Sequence, residues 1–217
     1  MGQFKVMVVV LFTTFLISCG HPQLNSEAQL SSDYTYIIGP GDMLDIFVWD
    51  NPDVSKSIVV RPDGKISAPL IDDVLAIGKT PSELARELEK GLSEYIVNPL
   101  VAVIVNEFEG IYQQQVRVVG QINRNPNGNN SGSGNSRNRY TAKSLPYRKG
   151  MTLLDLMVQV GGIGEFGDGN RSSIIRKMGD KQQQFGVRID DLLEDGDLTA
   201  NVQIQPGDIL IIPESFF

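Results

Sequence analysis

One cysteine and one histidine are all that this sequence of 217 residues contains of those two residue types. The single Cys, Cys19, excludes an internal disulfide and any metal site of the CxxC type. The single His, His21, excludes most catalytic arrangements that depend on a histidine of the same chain. These absences remove many classes of enzyme, and we predict no catalytic residue, no metal site and no cofactor.

Basic residues are also scarce relative to acidic ones. Lys and Arg number 19 against 26 Asp and Glu, which gives a formal net charge of −7. Because phosphate contacts need clustered Lys and Arg, this balance argues against broad nucleic-acid binding. The sequence lacks any run of about 18 apolar residues, so it predicts no membrane-spanning helix. With 41% hydrophobic residues it otherwise has the composition of a folded protein of one or two domains.

The first 20 residues have the pattern of a secretory signal. Lys5 precedes an apolar run at 6–17, which has the length of a signal-peptide core and is too short to cross a bilayer. The run ends in Leu-Ile-Ser-Cys-Gly at 16–20, which resembles the bacterial lipobox, where the Cys becomes the lipidated first residue. We therefore predict a lipoprotein signal peptide over 1–18 and lipidation of Cys19. An ordinary signal peptide with a coincidental Cys is the alternative.

Lipidation would determine where the protein is located. Acyl chains on Cys19 would hold it in a membrane by about 0.8 kcal/mol per buried methylene group. Gly20 stands where enterobacterial lipoproteins retained in the inner membrane carry Asp, so the resemblance implies an outer-membrane protein that faces the periplasm. Residues 19–33 are polar and lack periodicity, and we interpret them as a tether, with His21 as a solvated residue of it.

Residues 34–110 predict a small unit that mixes helix and strand. Alternation places Leu44, Ile46 and Val48 on one face of a strand. Thr80 and Glu83 flank Pro81 in the pattern of a helix start with a capping box. Further strands are predicted at 34–38, 58–60, 66–68 and 100–105, with an Asp-Gly hairpin turn between the second and the third.

Residues 115–213 predict a second unit. Thr152 and Asp155 have the pattern of another helix cap, and Gly161 follows the last apolar residue of that helix. Residues 123–141 are dominated by Asn, Gly and Ser and predict a flexible insertion. Strands are predicted at 116–119, 173–177, 185–189 and 209–212.

Two short motifs receive structural interpretations. Residues 162–167 satisfy G-x-G-x-x-G, but they follow a predicted helix, whereas a dinucleotide fingerprint follows a strand, so we interpret them as a loop. Pro-Gly-Asp occurs at 40–42 and again at 206–208, each time before an apolar strand. We interpret the repeat as two similar turns.

Adjacent acidic residues and two aromatic residues raise the question of whether the protein cleaves or binds glycans. Asp72-Asp73 and Asp190-Asp191 are adjacent pairs, and adjacent residues of an extended chain point to opposite faces, whereas a glycosidase needs two carboxyls that face each other. We therefore predict that the protein is not an enzyme, and that Asp63, Asp72 and Asp73 are solvated turn residues. Phe47 and Trp49 could stack on sugar rings, but packing against a second surface is the favoured interpretation.

The sequence resembles bacterial polysaccharide export proteins. The resemblance is carried by 36–46 (YIIGPGDMLDI), 60–70 (VRPDGKISAPL), the helix at 80–95 and 98–103 (NPLVAV). The stretches 116–120, 147–155 and 206–208 resemble a soluble ligand-binding β-grasp domain. The arrangement and the ending at 212–217 are most similar to the short export lipoproteins of exosortase-associated exopolysaccharide clusters. The resemblance implies an α+β fold, with an N-terminal polysaccharide-export domain of α/β sandwich type followed by a β-grasp domain.

The same resemblance implies a function. It implies an outer-membrane lipoprotein that assembles into a homo-oligomeric ring and passes an exopolysaccharide chain through it. It also implies an inner-membrane partner, the chain-length determinant or tyrosine-autokinase copolymerase.

Two departures and one alternative remain open. Larger family members continue into a C-terminal amphipathic helix that forms the outer pore, whereas this sequence reaches Phe217 a few residues after its last predicted strand. A separate outer-membrane β-barrel could supply the opening, or the ring could act as a periplasmic conduit. The second departure is the insertion at 123–141. The competing class is a tethered glycan-binding or scaffold lipoprotein that positions the copolymerase without transporting the polymer.

Overall fold

The computed structural model describes residues 21–24, 34–123 and 140–216 of the chain. The predicted signal peptide, Cys19, most of the predicted tether and most of the predicted insertion lie outside these residues. The described residues mix helices and strands, which confirms the α+β class.

The first half of the fold is a helix on a small sheet with an added hairpin. Its elements are β1 (Met43–Val48), β2 (Lys56–Val59), β3 (Lys65–Ala68), β4 (Ile71–Leu75), α1 (Pro81–Leu92) and β5 (Val101–Glu107). Strands β2, β1 and β5 form an antiparallel sheet in that order, and β3 pairs with β4. Leu44, Ile46 and Val48 point to the buried face of β1, as their alternation predicts.

Helix α1 begins where its sequence predicts. The Thr80 side chain accepts a hydrogen bond from the Glu83 amide, and the Glu83 carboxylate accepts one from the Thr80 amide, which completes the capping box. Leu84, Leu88 and Leu92 lie on the buried face of the helix. Each of these side chains stabilises the unit by about 2 kcal/mol through burial.

Two expectations for this half are wrong. The strands on either side of the Asp-Gly turn do not pair with each other, because β2 pairs with β1 while β3 pairs with β4. The Asp-Gly turn itself forms: the Arg61 amide donates to the Lys65 carbonyl at 2.9 Å, and the Gly64 amide donates to the Arg61 carbonyl at 2.8 Å. The Gly64 carbonyl also accepts hydrogen bonds from the amides of Ala76 and Ile77, both at 2.9 Å. Residues 34–38 are not a strand, although the Ile38 amide donates to the Lys79 carbonyl at 2.9 Å.

The second half is a β-grasp sheet. Its elements are β6 (Gln115–Gly120), β7 (Thr141–Pro146), α2 (Leu153–Val160), β8 (Ser173–Met178), β9 (Lys181–Gly186), α3 (Ile189–Leu193) and β10 (Ile209–Ile212). The strand order is β7-β6-β10-β8-β9, so the first and last strands lie side by side, and they are parallel. Helix α2 has the predicted capping box between Thr152 and Asp155 and ends at Gly161. Ile189 begins α3, although the sequence predicts that it ends a strand.

Each half has its own hydrophobic core. The first is built from residues between Ile38 and Val101, and the second from residues between Val116 and Ile212. Residues 21–24, which belong to the predicted tether, lie against the second half: the Gly186 amide donates to the Pro22 carbonyl at 2.9 Å, and Leu24 packs against that core. This part of the tether is therefore attached to the fold, while His21 is exposed as expected.

The two Pro-Gly-Asp motifs form the same turn, and each buries its carboxylate. Gly41 and Gly207 have φ of 93° and 86°, a left-handed conformation that suits glycine after proline in such a turn. In each turn the Asp side chain accepts from the amide three residues earlier, at 2.8 Å. Asp42 is 0% exposed and Asp208 is 1% exposed.

Asp42 joins the first strand to the connection between the two halves. One of its oxygens accepts from the Tyr36 hydroxyl at 2.6 Å, and the other accepts from the amides of Glu109 and Gly110, both at 2.8 Å. A buried carboxylate is tolerated only when its acceptor positions are filled, so these donors determine where the connection must run.

The connection is fixed from its other end by Gln114. Its side-chain oxygen accepts from the Ile37 amide at 3.2 Å, and its side-chain nitrogen donates to the Thr35 carbonyl at 3.0 Å. The rings of Tyr34 and Tyr147 meet edge to face with centroids 4.8 Å apart. The two halves are therefore linked by side-chain contacts as well as by the chain.

Replacement of Asp42 by Ala should destabilise the protein by about 3 kcal/mol. The reason is that two backbone amides of the connection, and the backbone amide three residues before Asp42, lose their hydrogen-bond acceptor. The measurement is the free energy of unfolding in urea. The control is Asp72→Ala, which removes an exposed carboxylate and should change this free energy by less than about 0.5 kcal/mol. Equal effects of the two substitutions would contradict the role given to Asp42.

Stability should also depend on the ionisation of Tyr36. Burial, and then the hydrogen bond to Asp42, raise the pKa of its phenol above the ordinary value of 10.0. Since the unfolded chain ionises at the ordinary value, the folded state loses stability as the pH rises above about 10.

Tyr36→Phe should be about 1 kcal/mol less stable than the natural protein at about pH 8. That difference should shrink at about pH 11, because the variant no longer has this phenol to ionise in its unfolded state. Urea unfolding at both pH values measures it, with Tyr95→Phe, an exposed position, as the control. A difference that is the same at both pH values would be inconsistent with this linkage.

Candidate functional site

The sheet of the first half has one uncovered face with a large apolar surface. We call it the outer sheet face and define it by Phe47, Trp49, Val59, Leu100, Ala102 and Ile104, all of which are exposed. These residues share the face because they alternate with the buried residues of their strands and because β5 lies beside β1, with Phe47 opposite Ala102.

The aromatic pair on this face is not packed against another part of the described chain. Phe47 is 47% exposed and Trp49 is 66% exposed, so the favoured interpretation of the pair as a packed layer is wrong within the described residues. Their rings contact each other edge to face, with centroids 6.3 Å apart. Beside them, hydrogen bonds from Ser57 and Asn106 lower the pKa of the Asp45 carboxyl and keep it charged. Exposed apolar patches of this kind commonly mark protein contacts.

The second candidate site is a groove at one end of the β-grasp sheet. It has a volume of about 600 Å³. Its lining residues are Val119, Gly120, Tyr140, Arg171 and 211–216. The guanidinium carbon of Arg171 lies 4.4 Å from the centroid of the Phe216 ring, and its Nη1 atom lies 3.4 Å from a carboxylate oxygen of Asp168.

Backbone hydrogen bonds between two loops build this end of the sheet. The Asp168 amide donates to the Pro213 carbonyl at 3.0 Å, and the Ser215 amide donates to the Phe166 carbonyl at 2.9 Å. Residues 162–167, the G-x-G-x-x-G stretch, are a loop that follows α2, as interpreted from the sequence. Aromatic faces and a planar cation can bind apolar rings, sugar faces or anionic oxygens.

The carboxylates considered for glycan chemistry have structural partners. Asp63 and Asp73 both pair with Arg61, which lowers the pKa of both carboxyls, with Ser67 contributing most at Asp73. Asp63, Asp72 and Asp73 are exposed, as expected.

Asp190 and Asp191 are not on extended chain, because they lie in the first turn of α3. Both hold Asn170: Asp190 accepts from its amide at 2.9 Å, and Asp191 accepts from its side chain at 2.7 Å. Over residues 21–24, 34–123 and 140–216, no group of His, Cys, Asp and Glu side chains is arranged to hold a metal ion.

A buried ion pair supports the strand that ends at the groove. Arg176 donates to both oxygens of Asp208, at 3.0 and 2.7 Å, and also donates to the Gln203 carbonyl at 2.9 Å. Burial raises the pKa of the Asp208 carboxyl, and the guanidinium and the Gln205 amide oppose that rise. Arg176 lies in the middle of β8, so its ion pair with Asp208 links that strand to the start of β10.

Sequence reasoning missed the groove. Tyr140, Arg171 and Phe216 are brought together from three segments that are far apart in sequence, and no local pattern predicts such a meeting. Lipidation of Cys19 concerns a residue outside the described part of the chain and stays a prediction. Where the structure describes the chain, its helices are too short or too polar to cross a membrane.

Comparison with known proteins assigns a family to the first half of the fold. Residues 30–106 match the family described as polysaccharide biosynthesis/export protein. They span the sheet, the hairpin and the helix of the first half.

Two relatives match over most of the chain. The EPS I polysaccharide export outer membrane protein EpsA of Ralstonia nicotianae is 24% identical over an alignment of 222 positions, gaps included, that covers 91% of this chain and 52% of that protein. The protein of the same name from Ralstonia solanacearum is 26% identical over an alignment of 235 positions, gaps included, that covers 95% of this chain and 56% of that protein. The chain spans about half the length of these curated relatives. The match over residues 30–106 and these two relatives support a polysaccharide export protein family, as the resemblance of the sequence implies.

Trp49 gives a direct spectroscopic test of the outer sheet face, because it is the only tryptophan of the chain. Since 66% of its surface is exposed, the fluorescence of the unassembled protein should be close to that of free tryptophan in water and readily quenched by iodide. A blue-shifted, protected emission in protein shown to be monomeric would contradict the exposed position.

Proposed function

We propose that this protein is an outer-membrane lipoprotein of an exopolysaccharide export system and forms a ring-like conduit for the polymer. The observation that carries the proposal is the match of residues 30–106 to the export family, over a unit that the chain joins to a β-grasp sheet. The relatives are named as polysaccharide export outer membrane proteins, which supports both the role and the membrane.

The lipid anchor in this proposal is Cys19. The apolar run at 6–17 and the lipobox-like residues around the Cys support it. One or more acyl chains at this position would keep the folded residues close to the membrane and leave them in the periplasm.

Ring formation requires each subunit to bury two different surfaces against its neighbours. The outer sheet face is the best candidate for one of them, because its apolar residues are exposed in the single chain and lie on a rigid sheet. We therefore expect Phe47 and Trp49 to be covered by a neighbouring copy in the ring.

Transport through such a ring needs no chemical step. A hydrated glycan chain needs a bore wide enough to keep its water, together with weak and repeated hydrogen bonds, because strong binding would stop its movement. The proposal accordingly assigns no catalytic residue and no cofactor. Its partners are the exopolysaccharide chain and an inner-membrane copolymerase of the chain-length determinant or tyrosine-autokinase class.

The test is the native mass of the lipidated protein in mild detergent. The natural protein should form a discrete closed oligomer, and Trp49→Asp should shift it towards monomers, because a charge on the covered face opposes association. The substitution should leave the free energy of unfolding within about 1 kcal/mol, since the side chain is exposed in the single chain.

Leu198→Asp is the matched control, because Leu198 is 71% exposed and lies outside the outer sheet face. It should leave the oligomer unchanged. A natural protein that stays monomeric with its copolymerase present would refute the conduit and favour the tethered scaffold.

A further inference from the structure

The β-grasp sheet also has a face that is turned away from its core. Val118, Ile174 and Leu210 point into the core, so the residues that alternate with them along the same strands point to the opposite side. On that side Arg117, Val119 and Lys177 are exposed, and three isoleucines are partly exposed. We call this side the grasp sheet face and define it by Arg117, Val119, Ile175, Lys177, Ile209 and Ile211.

Strand pairing arranges these residues as an apolar centre with cations at its border. Ile209 lies beside Arg117 on one neighbouring strand and opposite Ile175 on the other, and Lys177 follows two residues after Ile175. From the spacing of the strands and of the residues along them, the Cα atoms of Arg117 and Lys177 are about 12 Å apart. A partner for this face therefore needs an apolar surface that carries negative charge.

The two cations have no partner within residues 21–24, 34–123 and 140–216. Their side chains form no hydrogen bond or ion pair with a residue of these segments, whereas Arg61, Arg176 and Arg188 all pair with carboxylates. The strand positions of the grasp sheet face also carry no Asp or Glu. In a chain with a net charge of −7, this face is a local positive surface.

The outer sheet face of the first half has the opposite charge. Asp45 lies on it, opposite Ser57 on one neighbouring strand and opposite Ile104 on the other. Each oxygen of Asp45 accepts one hydrogen bond, from Ser57 and from Asn106. These bonds hold the carboxylate in place and leave acceptor positions for a cation. The outer sheet face is thus an apolar surface with a negative charge, which is what the grasp sheet face needs.

The two faces can also satisfy the geometry of a ring. A ring forms when one face of each copy contacts a different face of the next copy at a constant angle. Two uncovered sheet faces can pack about 10 Å apart, as the layers of a β-sandwich do. Asp42 and Gln114 fix the connection between the two halves that carry these faces, so the angle between the faces is the same in every copy.

We propose that the outer sheet face of one copy packs on the grasp sheet face of the next copy, with Asp45 placed between Arg117 and Lys177 of that copy. The inference rests on the ring of the proposed function and names the second surface of its subunit contact. The contact buries the apolar residues of both faces, and it gives the two cations the carboxylate that their own copy does not supply within its described residues.

The test mixes two charge-reversal variants of the lipidated full chain. The first is Asp45→Lys, and the second combines Arg117→Glu with Lys177→Glu. Each variant alone brings like charges together at every subunit contact. The concentration at which half of the protein is assembled, measured by native mass in mild detergent, should therefore rise at least about tenfold for each variant. In an equal mixture, opposite charges meet wherever the two variants contact each other, so an oligomer that contains both in equal amounts should re-form.

The matched control combines Arg148→Glu with Lys181→Glu, which reverses two exposed cations outside the grasp sheet face. It should assemble as the natural protein does. Circular dichroism of each variant checks that it is folded, and misfolded chains would not reassemble on mixing.

Either outcome of the mixing experiment is decisive. Folded variants that assemble normally on their own, or that fail to reassemble when mixed, would overturn the pairing of these two faces. If only Asp45→Lys fails to assemble, the outer sheet face contacts some other surface, and the pairing is again wrong. A natural protein that is itself monomeric would overturn the ring of the proposed function, and the inference with it.

Discussion

The arrangement of this protein depends on buried carboxylates that follow a Pro-Gly turn. Asp42 has no exposed surface and accepts four hydrogen bonds, two of them from the amides of Glu109 and Gly110. A charge in a dry environment costs several kcal/mol unless its partners are in place, so the linker can follow only the path that brings those amides to Asp42. The first strand, the linker and the start of the second half are therefore positioned together.

Asp208 applies the same constraint to the β-grasp sheet with a different partner. Its turn places the start of the last strand, and the guanidinium of Arg176 fixes that start against β8. A buried ion pair is weak evidence of net stability, and what the contacts show here is that Arg176 joins the start of the central strand to β8. Because the last strand runs directly into the groove, the loops that line the groove depend on its register.

Features that depend on neighbouring residues could be predicted from the sequence, and contacts between residues far apart in the sequence could not. The capping boxes at Thr80 and Thr152 and the alternation of Leu44, Ile46 and Val48 depend on neighbours within one or two turns, and the structure confirms them. The Asp-Gly turn was recognisable and forms, but the pairing of β2 with β1 and of β3 with β4 joins residues that no local pattern connects. The exposure of Trp49 and the attachment of Leu24 depend on which surfaces remain uncovered, and alternation alone does not reveal that.

The linker between the two halves has a mechanical consequence. Gln114 binds both Thr35 and Ile37, while Asp42 holds the linker from the other side. Two units joined by a flexible linker would rotate independently, and a displacement of one unit would not move the other. Here we expect the two units to move together as one rigid body. In an export assembly, a displacement that a partner causes at the first sheet would be transmitted to the second sheet.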